Sequence, residues 1–197
     1  MNNLHYQNLV FFDLETSGLD VNKHEIIQIG AVDAITNEKF MRRIDFDIDK
    51  ADKACLEINS FDEQLWDETA VPIEQAILDF SDFLSKRATL ERTTMKGNTY
   101  KVAALGGYNI VAFDKPFILK AFEKANVFFP ADYRMFDVYL LALWLYPGYE
   151  KYSLETMCER LNIKAKFHDA LQDAFATKRL AKKILKDMGM FMGLDWK

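Results

Sequence analysis

The chain has 197 residues, half of them hydrophobic and 28% charged, with 25 lysines and arginines against 30 acids for a net charge of -5. That composition excludes a disordered chain, and no run approaches the ~20 apolar residues of a membrane span. The acidic balance argues against coating long duplexes by broad phosphate neutralisation, although an enzyme holding only a strand end needs few phosphate contacts. The length predicts a single domain, residues 1-197, with a sizeable core. Met1-Asn2-Asn3-Leu4-His5 offers neither a basic leader nor an apolar stretch with a cleavage site, so a cytoplasmic protein is expected. Cys55 and Cys158 are too far apart for a metal-type pair and are expected to be reduced packing residues.

The first predicted strand, Leu9-Val10-Phe11-Phe12-Asp13-Leu14-Glu15, is an apolar run that breaks into acid, apolar residue, acid. In a strand that spacing points both carboxylates the same way. Further strands over 25-32 and 40-44, after turns at Ser17-Gly18 and Thr36-Asn37, predict an antiparallel meander. Ile73, Ala76, Ile77, Phe80, Phe83 and Leu84 then recur at three and four, the stripe of an amphipathic helix. Residues 86-101 carry five basic residues against one acid, and Lys96-Gly97-Asn98 at their centre suits a hairpin. The bland reading is a solvated surface segment; the functional one is a basic arm guiding a nucleic-acid strand. A strand over 102-108, a helix over 116-125, a short strand over 133-136 and further helices complete a βαβ-like second half. Trp144, Tyr146, Phe128 and Phe129 are expected in the core. His5 and His24 lack partners at metal-ligand spacing and are expected at the surface. The apolar tail 188-197 suits docking on the domain or on a partner.

Carboxylates held side by side repel unless a cation lies between them, and hard oxygen ligands suit Mg²⁺ or Mn²⁺. Asp13 and Glu15 therefore suggest a metal site for phosphate chemistry. Asp114 precedes Lys115-Pro116 and an apolar periodic run, so by itself it is most simply an N-cap, as is Asp137 before its own helix. Asp169-Ala170-Leu171-Gln172 reads as a capping box. His168 then precedes the cap, and Asp173 is the fourth helical residue, so the two face each other across a helix start where a staple would place apolar residues. An imidazole beside a carboxylate there has a ready catalytic use.

Phe12-Asp13-Leu14-Glu15-Thr16-Ser17-Gly18-Leu19, then Gly107-Tyr108-Asn109-Ile110-Val111-Ala112-Phe113-Asp114, then His168-Asp169-Ala170-Leu171-Gln172-Asp173 resemble, in order and spacing, the three motifs of the DEDDh (DnaQ-like) 3'-5' exonucleases. That family includes the proofreading subunit of bacterial replicative polymerase. The resemblance runs from about Leu9 to Ala181 and implies a ribonuclease H-like α/β fold: a central mixed five-stranded sheet, antiparallel meander plus parallel strands, flanked by helices. It also implies that Asp13, Glu15 and Asp173 hold one of two Mg²⁺ or Mn²⁺ ions, that Asp114 serves the second, and that His168 takes the proton from the attacking water. His168 must be neutral for that, so the rate should rise with pH through the imidazole titration. The product would be a 5'-mononucleotide released from the 3' end.

For substrate contacts the resemblance points to Thr16 and Leu19 around the terminal nucleoside, to Ile58 and Asn59 in a loop packing on the terminal base, and to Asn109 near the strand exit. Leu19 would serve equally as a core plug, and Asn109 as a turn residue. Three readings compete. The first is an exonuclease on single-stranded DNA 3' ends, in proofreading or repair, with a polymerase or replication partner. The second is an exoribonuclease of the same superfamily, against which Thr16 stands where oligoribonucleases usually carry Met. The third is a catalytically silent nucleic-acid-binding or polymerase-docking module, disfavoured because all five chemical residues are present.

Overall fold

The computed structural model describes residues 9-59 and 61-189; His5 and most of the tail 188-197 lie outside them. In chain order the strands are β1 (Leu9–Thr16), β2 (Ile26–Asp33), β3 (Lys39–Ile44), β4 (Ala70–Val71), β5 (Leu90–Thr93), β6 (Thr99–Val102), β7 (Ala104–Gly107) and β8 (Phe136–Asp137). The helices are α1 (Lys53–Ile58), α2 (Glu63–Thr69), α3 (Ile73–Ser85), α4 (Asp114–Lys124), α5 (Val138–Leu145), α6 (Leu154–Arg160) and α7 (Ala170–Asp187).

The main sheet has the order β4-β3-β2-β1-β7-β8. β1, β2 and β3 form the expected antiparallel meander, while β7 lies parallel to β1, β8 parallel to β7 and β4 parallel to β3. The sheet therefore has six strands and not five. The two edge strands are two residues each, too short to show any alternation in sequence. β1 is central and covered on both faces, which explains its nearly unbroken apolar opening. Val10, Phe12 and Leu14 join the core shared with α3 and α4; Leu9 and Phe11 join the one shared with α7, α5 and α6. Asp13 and Glu15 continue the second set and so face α7.

α3 buries Ala76, Ile77, Phe80, Phe83 and Leu84, the stripe legible in sequence. β5 and β6 form the hairpin over the basic segment, turning through Gly97 at φ +84°. Three of its five cations have internal partners: Lys86 pairs with Asp82 at 2.7 Å, Arg92 with Asp132, and Arg87 is buried against Asp33 at 3.1 Å and Glu38 at 2.5 Å. The hairpin leads into the start of β7, which pairs with the start of β1, so it lies at the end of the sheet away from Asp13 and Glu15. Two aromatic expectations fail. Trp144 is 86% exposed and Phe128 is 66% exposed, although Phe129 is buried. α5 is apolar nearly all round, and its buried side is set by Val138 and Ala142, four apart; Trp144, two residues on, faces the opposite way. Both cysteines are free, and burial pushes the Cys158 thiol up to about 12.

Candidate active site

The site forms where the N-terminus of α7 meets β1 across β2. Gly30 of β2 sits opposite Asp13 in register, and a Cβ there would lie 2.1 Å from the Leu171 nitrogen and 2.2 Å from the Ala170 carbonyl carbon. Only a glycine lets the first turn of α7 rest on the sheet. Two residues earlier, the Gln28 side chain completes the docking: its Oε1 accepts from the Ala170 N–H at 3.0 Å and its Nε2 donates to Asp169 at 3.2 Å. Asp169 is the N-cap expected, accepting from the Gln172 N–H at 3.0 Å.

This docking brings Asp173 to the paired carboxylates. One oxygen each of Asp13, Glu15 and Asp173 lie within 4.8 Å of one another. His168 and Asp173 do face each other across the helix start, but the contact is from backbone: the His168 N–H donates to Asp173 Oδ2 at 3.0 Å, while the imidazole is exposed. His168 adopts φ +65°, a left-handed conformation uncommon for a residue with a Cβ. That conformation turns the amide toward Asp173.

Asp114 is not the N-cap its sequence context suggests. It is the first residue of α4, which has no side-chain cap. β7 pairs with β1 only as far as Phe11, and beyond that point the buried Asp114 carboxylate accepts from the Leu14 N–H at 3.0 Å. It thus fills the gap where the two strands part, between the positions of Asp13 and Glu15.

The electrostatics record this crowding. Burial first, then the charges of Asp114, Asp173 and Glu15, hold the Asp13 carboxyl well above the usual range. Burial and the neighbouring Asp173, Asp169 and Asp114 push Glu15 up to about 8. Burial raises Asp114 to about 7 and Asp173 to about 6, each offset in part by the amide it accepts from. Asp173 Oδ1 is buried with no hydrogen-bond partner among the described residues. Carboxylates arranged so disfavour one another's ionised forms, and a divalent cation bound by hard oxygens removes that penalty. The orphaned oxygen and the three converging carboxylates fit such an ion, with Asp114 alongside.

The remaining candidates divide. Leu19 is 74% exposed at the turn after β1, so it is no core plug, and Ile58 is 55% exposed at the end of α1. Thr16 is buried, its hydroxyl donating to the Gly18 carbonyl at 2.8 Å, while its own carbonyl accepts from Asn59 Nδ2 at 3.0 Å. Asn59 therefore ties α1 to the end of β1. Asn109 takes φ +56° and its carbonyl accepts from the amides of Ala112 and Phe113, the role of a turn residue. Asp137 caps α5 and also accepts from the amides of Asn109 and Val111. His24 Nδ1 accepts from the Asp20 amide at 3.0 Å, and its ring fills the space a Cβ on Gly18 would occupy, so it braces the β1–β2 loop. Sequence reading passed over Gly30 and Gln28. A glycine inside a strand was a signal of close backbone approach; nothing marked Gln28, whose use depends on a helix 142 residues away.

Residues 10–181 match the RNase_T family model, described as exonuclease. The chain belongs to this exonuclease family. Among relatives it is 27% identical over 182 residues to DNA polymerase III PolC-type from Halalkalibacterium halodurans, covering 90% of this chain and 11% of that protein. The PolC-type enzyme of Bacillus cereus is 29% identical over 185 residues, covering 91% of this chain and 11% of the relative. The chain thus spans about a tenth of the curated relatives it matches. Among solved structures, E. coli exonuclease I in complex with a dT13 oligonucleotide superposes with a TM-score of 0.71 at 17% identity, over 91% of this chain and 41% of that one. Exonuclease I from Methylocaldum szegediense gives 0.70 at 19%, over 93% and 41%. At such identities the likeness speaks to the fold, the ribonuclease H-like mixed sheet flanked by helices. No helix among the described residues is long and apolar enough to cross a membrane.

Proposed function

We propose that this exonuclease-family chain removes 5'-mononucleotides from the 3' end of single-stranded DNA, with Asp13, Glu15, Asp114 and Asp173 holding two Mg²⁺ or Mn²⁺ ions and His168 acting as general base. The observation that carries the proposal is the convergence of three carboxylate oxygens within 4.8 Å, one carboxylate leaving a buried oxygen without a partner. When bound, the ions supply Lewis-acid charge that acidifies the attacking water and offsets charge developing on the leaving 3' oxygen. The protein's own share is positional. Asp13 and Glu15 are fixed by the pleat of a central strand, Asp173 by the docking of α7 through Gly30 and Gln28, and Asp114 by its bond to Leu14. His168, held at Asp173 by its backbone amide and exposed to solvent, takes the proton from the water with its ring and returns it to bulk. The exposed Leu19, with Ile58 and the backbone around Thr16, borders the space for the terminal nucleoside.

Single-stranded DNA is favoured over RNA by the relatives: a fold-mate solved with dT13 and dA16 oligonucleotides, and PolC-type DNA polymerases at the level of sequence. The latter also support a replicative polymerase as partner. Purified protein is incubated with 5'-labelled single-stranded, duplex and mismatched DNA and matched RNA, with Mg²⁺ or Mn²⁺ and then with chelator. The expected result is a ladder shortening from the 3' end of single-stranded DNA, abolished by chelator and by Asp13→Ala and His168→Ala. Tight binding without shortening would mark a silent module, and shortening of RNA alone an exoribonuclease.

A further inference from the structure

A second feature lies on the same helix, outside the carboxylate cluster. Gln172, Phe175 and Arg179 follow each other at helical spacing on α7, and with Lys178 of α7, Asn37 of the β2–β3 turn and Lys39 at the start of β3 they line a concave pocket of about 530 Å³. Three of these six residues are cations and none is an acid. Lys39 and Lys178 both lie over the Phe175 ring, at 5.3 and 5.4 Å from its centre. Arg179 is steadied by donating to the Lys164 carbonyl at 2.8 Å.

The charge here is not balanced from within. Among the described residues no carboxylate lies within 4.0 Å of Lys39, Lys178 or Arg179. Lys178 is only 3% exposed, and its ammonium donates to the side-chain oxygen of Asn37, a neutral partner. Burial and the like charge of Lys182 push it down to about 8. The acid that opposes this shift is Asp33, but its carboxylate is already held by Arg87 and by the amides of Ile35 and Thr36. A buried ammonium without a counter-ion is costly, and an arriving anion recovers that cost.

The pocket opens on the side of α7 away from the carboxylates: Phe175 and Arg179 lie about 200° and 240° around the helix axis from Asp173, and Lys39 pairs with Val32, level with Phe11 toward the start of β1. We propose that the pocket of Lys39, Lys178 and Arg179 binds a phosphate oxyanion, free or carried on a nucleic-acid strand that passes over α7. A strand as the source rests on the function proposed above. The chemistry shared by every source is a dianionic or monoanionic phosphate group set between cations on an aromatic floor.

The test uses the full chain in chelator, where no strand is cut. Binding of 5'-fluorescein-labelled dT12 is followed by anisotropy across a salt series for wild type and for Lys39→Gln/Arg179→Gln, both exposed positions, with Lys178→Met as a second variant. In parallel, melting is followed with inorganic phosphate, and cleavage of the dinucleotide pTpT, too short to reach the pocket, is measured with Mn²⁺. Where the phosphate is carried on a strand, the double variant binds dT12 about tenfold more weakly, with the slope of log affinity against log salt reduced by about 0.7 for each phosphate that the variant no longer neutralises, while pTpT cleavage is unchanged. If instead phosphate raises the melting temperature of wild type but not of the variant, and dT12 binding is equal, the site takes the free anion. Equal dT12 affinity, equal salt slope and equal response to phosphate in wild type and double variant would overturn the proposal. Failure of wild type to cleave pTpT or dT12 at all would count against the catalytic reading alone, since the binding comparison is made without turnover.

Discussion

Gly30→Ala isolates the contact on which the site geometry depends. A methyl group at this position would sit 2.1 Å from the Leu171 nitrogen, against about 3.4 Å for ordinary contact, and the atoms it meets are helix backbone that cannot rotate away. The first turn of α7 must therefore lift by about 1.3 Å, carrying Asp173 away from Asp13 and Glu15. Overpacking of this kind costs about 1–3 kcal/mol of stability, and a displacement of about 1 Å at reacting groups costs on the order of 10²-fold in turnover. Gly106→Ala is the matched control. The three atoms nearest its added methyl are side-chain atoms of Leu9 and Phe11 at 3.2 to 3.3 Å, which can yield, and Gly106 pairs with Phe11 and not with Asp13. Thermal melting, Mn²⁺ titration by calorimetry and single-turnover cleavage of single-stranded DNA are measured for both variants. The expected pattern is weak Mn²⁺ binding and slow cleavage in Gly30→Ala, with near wild-type values in Gly106→Ala. A Gly30→Ala protein that binds Mn²⁺ and cleaves like wild type would refute the idea that this contact sets the position of Asp173.

Three other outcomes follow from the same structure. A carboxyl raised on folding holds its proton longer in the folded state, so its stabilising contribution is full below the unfolded value of about 4 and is lost as pH climbs through the folded one. With Asp173 at about 6, Asp114 at about 7 and Glu15 at about 8, the chelated protein should lose melting temperature from pH 5 to 8. The loss is on the order of a few kcal/mol, and Mg²⁺ or Mn²⁺ should restore more at pH 8 than at pH 5; a pH-independent metal effect on melting would contradict this. His168→Gly should lower cleavage by about 10²–10⁴-fold yet hold or raise the melting temperature, because glycine relieves the φ of +65° while keeping the amide that Asp173 accepts; destabilisation together with retained activity would be the opposite result. Arg87→Met leaves Asp33 buried without its partner and should cost about 3–5 kcal/mol of stability in denaturant melts. It should not change the cleavage rate per folded molecule, since the hairpin base it anchors lies at the far end of the sheet from Asp13.

Local wording was enough for every feature whose cause is local. The alternation in β1 aimed Asp13 and Glu15 to one side, the stripe of α3 marked its buried face, and Asp169 with Gln172 marked where α7 begins. Each of these follows from the period of a strand or helix, or from a cap within four residues, and those periods are written in the chain. What the chain did not display was distance. That Asp114 would satisfy Leu14, that Gln28 would cap a helix 142 residues later, and that Gly30 would give that helix its seat all depend on which surfaces meet when both sheet faces are covered. Trp144 makes the same point in reverse, an aromatic at helical spacing left in solvent because Val138 and Ala142 had taken the inward side. The residues proposed to bear the chemistry were named by their types and order; the convergence of Asp13, Glu15 and Asp173 was decided by packing, because a carboxylate can become a ligand only when another element holds a second one beside it.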